Sequence, residues 1–152
     1  MSITPKALFR YLKELVQKEA VVRLLSNCTK PFTPTFIVVP SCGALAGGMT
    51  YGNYRIEISS WLLSDAKEAK GAVRHELAHA LHDHLGGKGL PHGKEWIRIL
   101  KIVSPIKWRK DRHWTENPTI RKSNIAIHKG KTLKEIRRGG RKDSFVLEPV
   151  RR

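Results

Sequence analysis

Two histidines flank a glutamate in the stretch His75-Glu76-Leu77-Ala78-His79. In a helix, four residues turn about 400° and rise about 6 Å, so both imidazoles project from one face, one turn apart. Two imidazoles placed in this way can bind a single metal ion. Glu76 lies about 100° around the helix from His75, beside the ion rather than on it. The spacing therefore predicts a metal site with an adjacent carboxylate.

The chemistry that this arrangement favours is hydrolysis at zinc. Neutral imidazoles suit zinc, and a catalytic zinc keeps one position open for water, whose pKa falls to about 7. Glu76 is placed to take the proton of that water as it attacks a carbonyl, which makes Glu76 the predicted general base. The alternative is that His75 and His79 are two ordinary histidines on a structural helix.

A catalytic zinc site needs a third protein ligand. The pattern with a third histidine six residues after His79 is excluded, because Leu85 stands there. Glu95 and Glu116 are candidates as carboxylate ligands. We favour His92 over both, because a glycine-rich loop precedes it and lets the chain reverse onto the ion.

Two more histidines follow the motif on the same predicted helix. His82 shares the face of His75 and His79 but lies too far along the axis from His75 to chelate easily. We therefore expect His82 beside the site or facing solvent. His84 points about 180° away from His75 and is not expected to take part.

Helices and strands with clear periodicity surround the motif. The pattern predicts a helix from Pro5, strands over Thr35–Val39 and Tyr54–Ser59, a central helix from Ser64 to about Leu85, and a helix over His92–Val103. The central helix carries the metal motif, and glycines end it. Residues 43–48 are too rich in glycine for a clear prediction. Together these elements predict an α+β fold with a small sheet of about three strands.

The motif and its context resemble the SprT-like (Spartan-type) zinc metallopeptidase domain. HELAHAL is followed, after a short glycine-rich connection, by PHGKEW at Pro91–Trp96, as in that family. The stretch Gly47–Tyr51 leading into Tyr54–Ser59 is similar to the family's glycine-containing pair of strands. The resemblance covers about residues 5–104 and implies a zincin-like fold.

The resemblance also implies a role for each site residue. His75, His79 and His92 would be the zinc ligands, with His92 supplied by the start of the following helix, and Glu76 would be the base. The implied substrates are proteins bound or crosslinked to DNA. The strand Tyr54–Ser59 would offer an edge to which an extended peptide adds.

Positive charge is strong and unevenly distributed along the chain. The 152 residues hold 29 Lys and Arg against 13 Asp and Glu, a net charge of +16. Residues 105–152 hold 15 Lys and Arg against five Asp and Glu, and so carry +10 of that charge. We therefore divide the chain into a metallopeptidase domain, 1–104, and a basic extension, 105–152, which we do not expect to be an independent domain. This charge favours contact with a polyanion such as DNA.

The basic extension contains no cysteine, so it lacks the four-cysteine zinc ribbon that many SprT-like proteins carry. It holds instead cations next to aromatic side chains, a combination that binds phosphates and stacks on bases: Trp108, Arg109, Lys110 and Arg112. The alternative is that the tryptophans pack on the domain and the charges are solvated.

Composition limits the other classes of protein. A hydrophobic content of 40% is too high for a wholly disordered chain, and no stretch approaches a membrane span. The first residues lack the apolar core of a secretory signal, and two cysteines cannot build a disulfide framework, so we expect a soluble, cytoplasmic protein. Two other functions stay open: a nucleic-acid-binding protein with a structural or vestigial metal site, and a zinc hydrolase of another amide.

Overall fold

The computed structural model describes residues 1–40, 48–51, 55–104 and 143–146. Within these residues, four α-helices and one four-stranded sheet form an α+β fold. None of the helices described in these ranges is both long and apolar enough to cross a membrane.

The α-helices are α1 (Pro5–Val16), α2 (Glu19–Leu25), α3 (Ala66–His84) and α4 (Lys94–Val103). Helix α1 begins where the sequence predicts, because Thr4 accepts a hydrogen bond from the backbone N–H of Ala7 and proline occupies the first turn. Helix α2 was not predicted. Its two turns bury only Val21 and Leu25, which is too short a run for a periodic signal.

Helices α3 and α4 both begin later than predicted. Asp65, rather than Ser64, caps α3, since its carboxylate accepts hydrogen bonds from the N–H groups of Lys67 (3.0 Å) and Glu68 (3.3 Å). Ser64 instead ends a preceding 3-10 helix, Ser60–Ser64. Helix α4 starts at Lys94, two residues after the predicted start, so His92 lies in the turn before this helix and not on it as predicted.

The four strands are β1 (Thr35–Val39), β2 (Gly48–Tyr51), β3 (Arg55–Ser59) and β4 (Asp143–Val146). Their order in the sheet is β2-β3-β1-β4, with β1 and β3 parallel and the two outer pairs antiparallel. Strands β1 and β3 match the prediction to within one residue. The described sheet has one strand more than predicted, because β4 lies far along the chain, within the segment assigned to the basic extension.

The prediction that Tyr54–Ser59 offers an edge for peptide addition was wrong. Strand β3 lies between β1 and β2, and its backbone groups pair with both neighbours. Within the described sheet, the edges are β2 and β4.

The core lies between one face of the sheet and the helices. The side chains of Phe36, Val38, Ile56 and Ile58 belong to one buried cluster with the apolar faces of α1 and α3. On the β4 side, Phe9 of α1 stacks on Phe145, with ring centroids 4.8 Å apart. This packing sets α3 across the sheet, next to β2 and β3.

Candidate metal centre

The middle of α3 carries both histidines of the motif. His75 is buried and His79 is half-buried, and both lie in the interior of α3, which has 19 residues. Their Nε2 atoms are 3.2 Å apart. The two rings therefore converge on one point, as the one-turn spacing predicts.

The chain leaves α3 through a glycine turn that reverses its direction. The N–H of Gly86 donates to Asp83 O (3.2 Å) and that of Gly87 to His82 O (2.8 Å), the pair of bonds of a Schellman motif. Gly86 adopts φ 105°, a conformation that side chains rarely allow. The buried His82 then donates from Nε2 to the carbonyl of Lys88 at 2.8 Å, which ties the loop to the helix.

His92 follows this loop in an unusual backbone conformation. Its φ of 61° is left-handed, which costs a residue with a side chain on the order of 1 kcal/mol. The next residue, Gly93, donates to Leu90 O at 2.9 Å, and a Cβ on Gly93 would stand 2.8 Å from that oxygen. The tight turn brings His92 Nε2 to 3.0 Å from the Nε2 atoms of both His75 and His79.

The three Nε2 atoms form a triangle with sides of 3.0, 3.0 and 3.2 Å. In neutral imidazoles each such nitrogen either donates or accepts, so at least two of the three must be alike and repel each other. A cation between them accepts all three lone pairs and removes that conflict. Zinc–nitrogen bonds of about 2.0–2.1 Å in a tetrahedral site separate the nitrogens by about 3.3 Å. The triangle therefore fits zinc, and among the described residues it is the group that could hold an ion.

The other candidate ligands are placed elsewhere. The Glu95 carboxylate lies 4.0 Å from His82 Nε2 and is outside the histidine triangle. His84 hydrogen-bonds through Nε2 to Lys30 O at 3.2 Å and packs edge-on against Phe32, so it points away from the triangle, as expected. Position 116 lies outside the described residues.

Trp96 packs against all three histidines of the triangle. Its side chain is fully buried in α4, and its ring centroid lies 4.9 Å from His75, 4.9 Å from His79 and 4.6 Å from His92. One rigid indole thus contacts all three candidate ligands, which restricts their ring orientations. The sequence placed Trp96 in the apolar stripe of its helix and in the family motif, but no signal there indicated contact with all three rings.

Glu76 lies on the neighbouring face of α3, against β2. Its side chain is buried, and the Thr50 hydroxyl lies 2.6 Å from Oε2 and 3.0 Å from the Glu76 carbonyl oxygen. A Cβ on Gly48 would stand 2.7 Å from Glu76 Cγ, so only glycine fits there without a shift. Sequence reasoning missed Gly48 and Thr50 as parts of the site, because their contact with Glu76 depends on the packing of β2 against α3.

Burial changes the proton affinity of both kinds of group. Desolvation raises the pKa of Glu76 from 4.5 to about 7, and the hydrogen bond from Thr50 offsets part of that rise. Burial lowers the pKa of His79 from 6.5 to about 4, and repulsion by the charged forms of His92 and His82 adds to this effect. His79 is therefore neutral near pH 7, the form in which an imidazole binds a metal.

The residues predicted to contact nucleic acid all lie outside the described residues: Trp108, Arg109, Lys110 and Arg112. Their assignment remains a prediction from sequence. Of the basic extension, the structure describes only β4, which pairs with β1.

Comparison with known proteins gives a consistent result. The family model of the SprT-like family matches residues 8–119. Protein SprT of Proteus mirabilis is 32% identical over 74 residues, which are 47% of this chain and 44% of that protein. Protein SprT of Salmonella arizonae is 32% identical over 94 residues, 60% of this chain and 56% of that protein. These two matches cover about half the length of each relative.

A third relative, Protein SprT of Shigella dysenteriae serotype 1, is 29% identical over 116 residues, 75% of this chain and 68% of that protein. No solved structure gives a significant match. The family model covers well over half of the chain and includes the whole histidine triangle. The chain therefore belongs to the SprT-like family.

Proposed function

We propose that this protein is a zinc-dependent metallopeptidase of zincin-like fold that hydrolyses peptide bonds in proteins bound or crosslinked to DNA. The observation that carries the proposal is the convergence of three Nε2 atoms, 3.0–3.2 Å apart, next to the buried Glu76. His75, His79 and His92 would hold zinc and leave one position open. Zinc bound there supplies a Lewis acid for the peptide carbonyl and brings the pKa of a water molecule near 7.

Glu76 moves the proton in this proposal. The Thr50 hydroxyl lies 2.6 Å from Oε2, and we assign Oε1 as the oxygen that takes the proton of the attacking water. Burial raises the pKa of Glu76 in the metal-free chain, whereas a zinc ion nearby would favour the ionised carboxylate that a base requires. In this form Glu76 would accept the proton and then return it to the departing amine nitrogen.

Strand β2 is the part of the sheet best placed to receive an extended peptide. It packs against α3 beside Glu76, and within the described sheet it pairs on one side only, with β3. A peptide that adds to its outer side would gain backbone hydrogen bonds and run past the metal centre. The peptide edge of the proposed enzyme is therefore β2 and not Tyr54–Ser59.

The preference for DNA-bound substrates rests on the family and on charge. The excess of +10 in residues 105–152 favours phosphate contacts that do not depend on base sequence. Such contacts would raise the local concentration of the peptidase on DNA-attached proteins. These phosphate contacts do not recognise the scissile bond. In the proposal, the metal centre and β2 recognise it.

The test compares the zinc-loaded full chain with its Glu76→Gln variant on a protein crosslinked to DNA. We expect the wild-type chain to cleave the crosslinked protein, and the variant to retain one zinc per chain but lose cleavage by about 100-fold or more. A zinc-free sample is the control for metal dependence. Equal cleavage by the variant, or none by the zinc-loaded wild-type chain, would contradict the proposal.

The charge of residues 105–152 also favours a second candidate, a nucleic-acid-binding protein with a structural metal. The contribution of these charges is measured by the affinity for a DNA duplex at several salt concentrations. Replacement of Arg109, Lys110 and Arg112 by glutamine should weaken DNA binding. It should also make the slope of the logarithm of affinity against the logarithm of salt concentration shallower, by the amount expected for the loss of about three phosphate contacts. DNA binding of this kind, together with no proteolysis at any zinc loading, would favour the second candidate.

A further inference from the structure

Thr50 lies at the point where β2 meets the glutamate of α3. Its hydroxyl is 2.6 Å from Glu76 Oε2, a distance typical of a hydroxyl hydrogen-bonded to a carboxylate. The same hydroxyl is 3.0 Å from the backbone carbonyl oxygen of Glu76. The hydroxyl has one proton to donate, so it can satisfy one of these two oxygens at a time. Only the bond to Oε2 orients the carboxylate, and its shorter distance favours it over the bond to the backbone carbonyl oxygen.

Two features of β2 restrict the positions of the Thr50 hydroxyl and of the Glu76 side chain. Threonine branches at Cβ, so its χ1 angle is restricted and its hydroxyl is held in place by the strand. Gly48 lies two residues earlier, on the same face of β2, and leaves the space that Glu76 Cγ occupies. Strand β2 thus constrains Glu76 at two positions: Gly48 leaves room for its side chain, and Thr50, two residues later, donates a hydrogen bond to it.

A glutamate side chain needs such constraint because it has three rotatable bonds. In α3, Glu76 projects about 100° away from His75, so its helix position alone does not aim the carboxylate at the histidine triangle. The buried carboxylate also loses its hydration, and an unpaired buried charge is costly. A hydrogen bond from the Thr50 hydroxyl to Oε2 offsets part of that cost.

We infer that Thr50 is a positioning residue of the peptidase, which holds Glu76 through Oε2 so that Oε1 is presented to the reacting water. This inference rests on the proposed function. Thr50 itself does not touch the reacting atoms. The effect of Thr50 on the reaction is carried by the orientation of one carboxylate.

The kinetic test uses Thr50→Val, which keeps the shape of the side chain but removes the hydroxyl, and Thr50→Ser, which keeps the hydroxyl. We expect Thr50→Val to lower kcat by about 10- to 100-fold with little change in KM or zinc content, because a misplaced base slows the chemical step. Thr50→Ser should recover most of the lost activity. Thr35→Val, at a threonine of β1, is the matched control and should behave as wild type.

A second measurement tests the contact without relying on activity. In protein labelled with ¹³C at glutamate side-chain carboxyls, the Glu76→Gln variant identifies the Glu76 signal. We expect Thr50→Val, or Thr50→Ala if the valine variant is unstable, to shift this signal, and Thr50→Ser to leave it close to the wild-type position. If the wild-type chain proves inactive, the proposed function fails, while this shift still decides whether Thr50 holds Glu76.

The inference is overturned by an unshifted Glu76 signal in the variants without the hydroxyl. It is equally overturned if Thr50→Val retains the wild-type kcat in an active enzyme, or if Thr50→Ser is as impaired as Thr50→Val.

Discussion

The indole of Trp96 lies almost parallel to the imidazole of His79, with ring centroids 4.9 Å apart and planes inclined by 29°. The same indole meets the rings of His75 and His92 edge-on. A single buried side chain from α4 therefore contacts candidate ligands from two different parts of the chain.

This contact predicts that Trp96 controls metal affinity. Trp96→Phe keeps an aromatic ring but covers less of the three imidazoles, so zinc affinity should fall by about 10- to 100-fold, as for other residues that orient metal ligands. Trp96→Ala should also destabilise the fold by about 3–5 kcal/mol. Competition with a chelator of known affinity and chemical unfolding measure the two effects. Trp61→Phe, at the edge of the core, is the control, and equal zinc affinity in Trp96→Phe would refute the role.

Zinc should stabilise the native chain through the histidine triangle. At a free zinc concentration about 1,000 times its dissociation constant, binding adds about 4 kcal/mol to the free energy of unfolding. We expect a chelator to lower the melting temperature of the wild-type chain accordingly. His92→Ala should abolish most of this zinc-dependent shift, because it removes one of the three nitrogens.

His84→Gln is the matched control for the zinc experiment. His84 lies in the same helix as two of the candidate ligands but hydrogen-bonds to Lys30 on the other side. This variant should keep the full zinc-dependent shift. A shift that persists in His92→Ala would contradict the assignment of the third ligand.

The raised pKa of Glu76 predicts a pH dependence of stability in metal-free protein. The folded value of about 7 lies above the ordinary value of 4.5, so the contribution is fully present below pH 4.5 and is lost as the pH rises through 7. Glu76→Gln removes this titration. The free energy of unfolding of the wild-type chain, relative to that variant, should therefore fall across this range.

Urea unfolding of both proteins in the presence of a chelator measures this difference. Comparison with Glu76→Gln cancels groups common to both, including His79, whose lowered pKa acts in the opposite direction as the pH falls from 6.5 towards 4. Zinc should suppress the effect, because a nearby cation favours the ionised carboxylate. A difference that is constant or rises with pH would show that Glu76 is not buried as described.

Gly48 should tolerate no side chain. In Gly48→Ala the new Cβ would stand 2.7 Å from Glu76 Cγ and 3.2 Å from the carbonyl oxygen of Glu57, so either β2 or Glu76 must move. We expect a loss of stability of about 1–3 kcal/mol and a fall in peptidase activity. Zinc binding should persist, because the substitution leaves the three histidines in place. Unfolding curves, zinc content and cleavage assays measure these effects, and unchanged activity with unchanged stability would contradict the close packing of β2 on α3.

Much of the candidate site could be predicted from the sequence because it is local. The spacing of His75 and His79 determines their common direction as soon as the segment is helical, and the glycines after α3 indicate a reversal before His92. Apolar periodicity likewise indicated α1 and α4, and the lack of helix-breaking residues other than Gly71 indicated α3 to within about two residues. Helix α2 escaped prediction because two turns carry too little periodic signal.

The tertiary structure alone decided the partners of these local elements. Thr50 contacts Glu76, 26 positions later in the sequence, and β4 pairs with β1, more than 100 residues earlier. Hydrophobic packing brings such distant segments together, and neither segment carries a sequence pattern that identifies its partner. The order of the sheet could not be predicted for the same reason, and it places β3 inside the described sheet and β2 at one of its edges. The sequence by itself determined the spacing of His75, Glu76 and His79 and the helix that carries them. Packing decided which side chains contact the three histidines and Glu76, since those contacts form between separate elements of the chain.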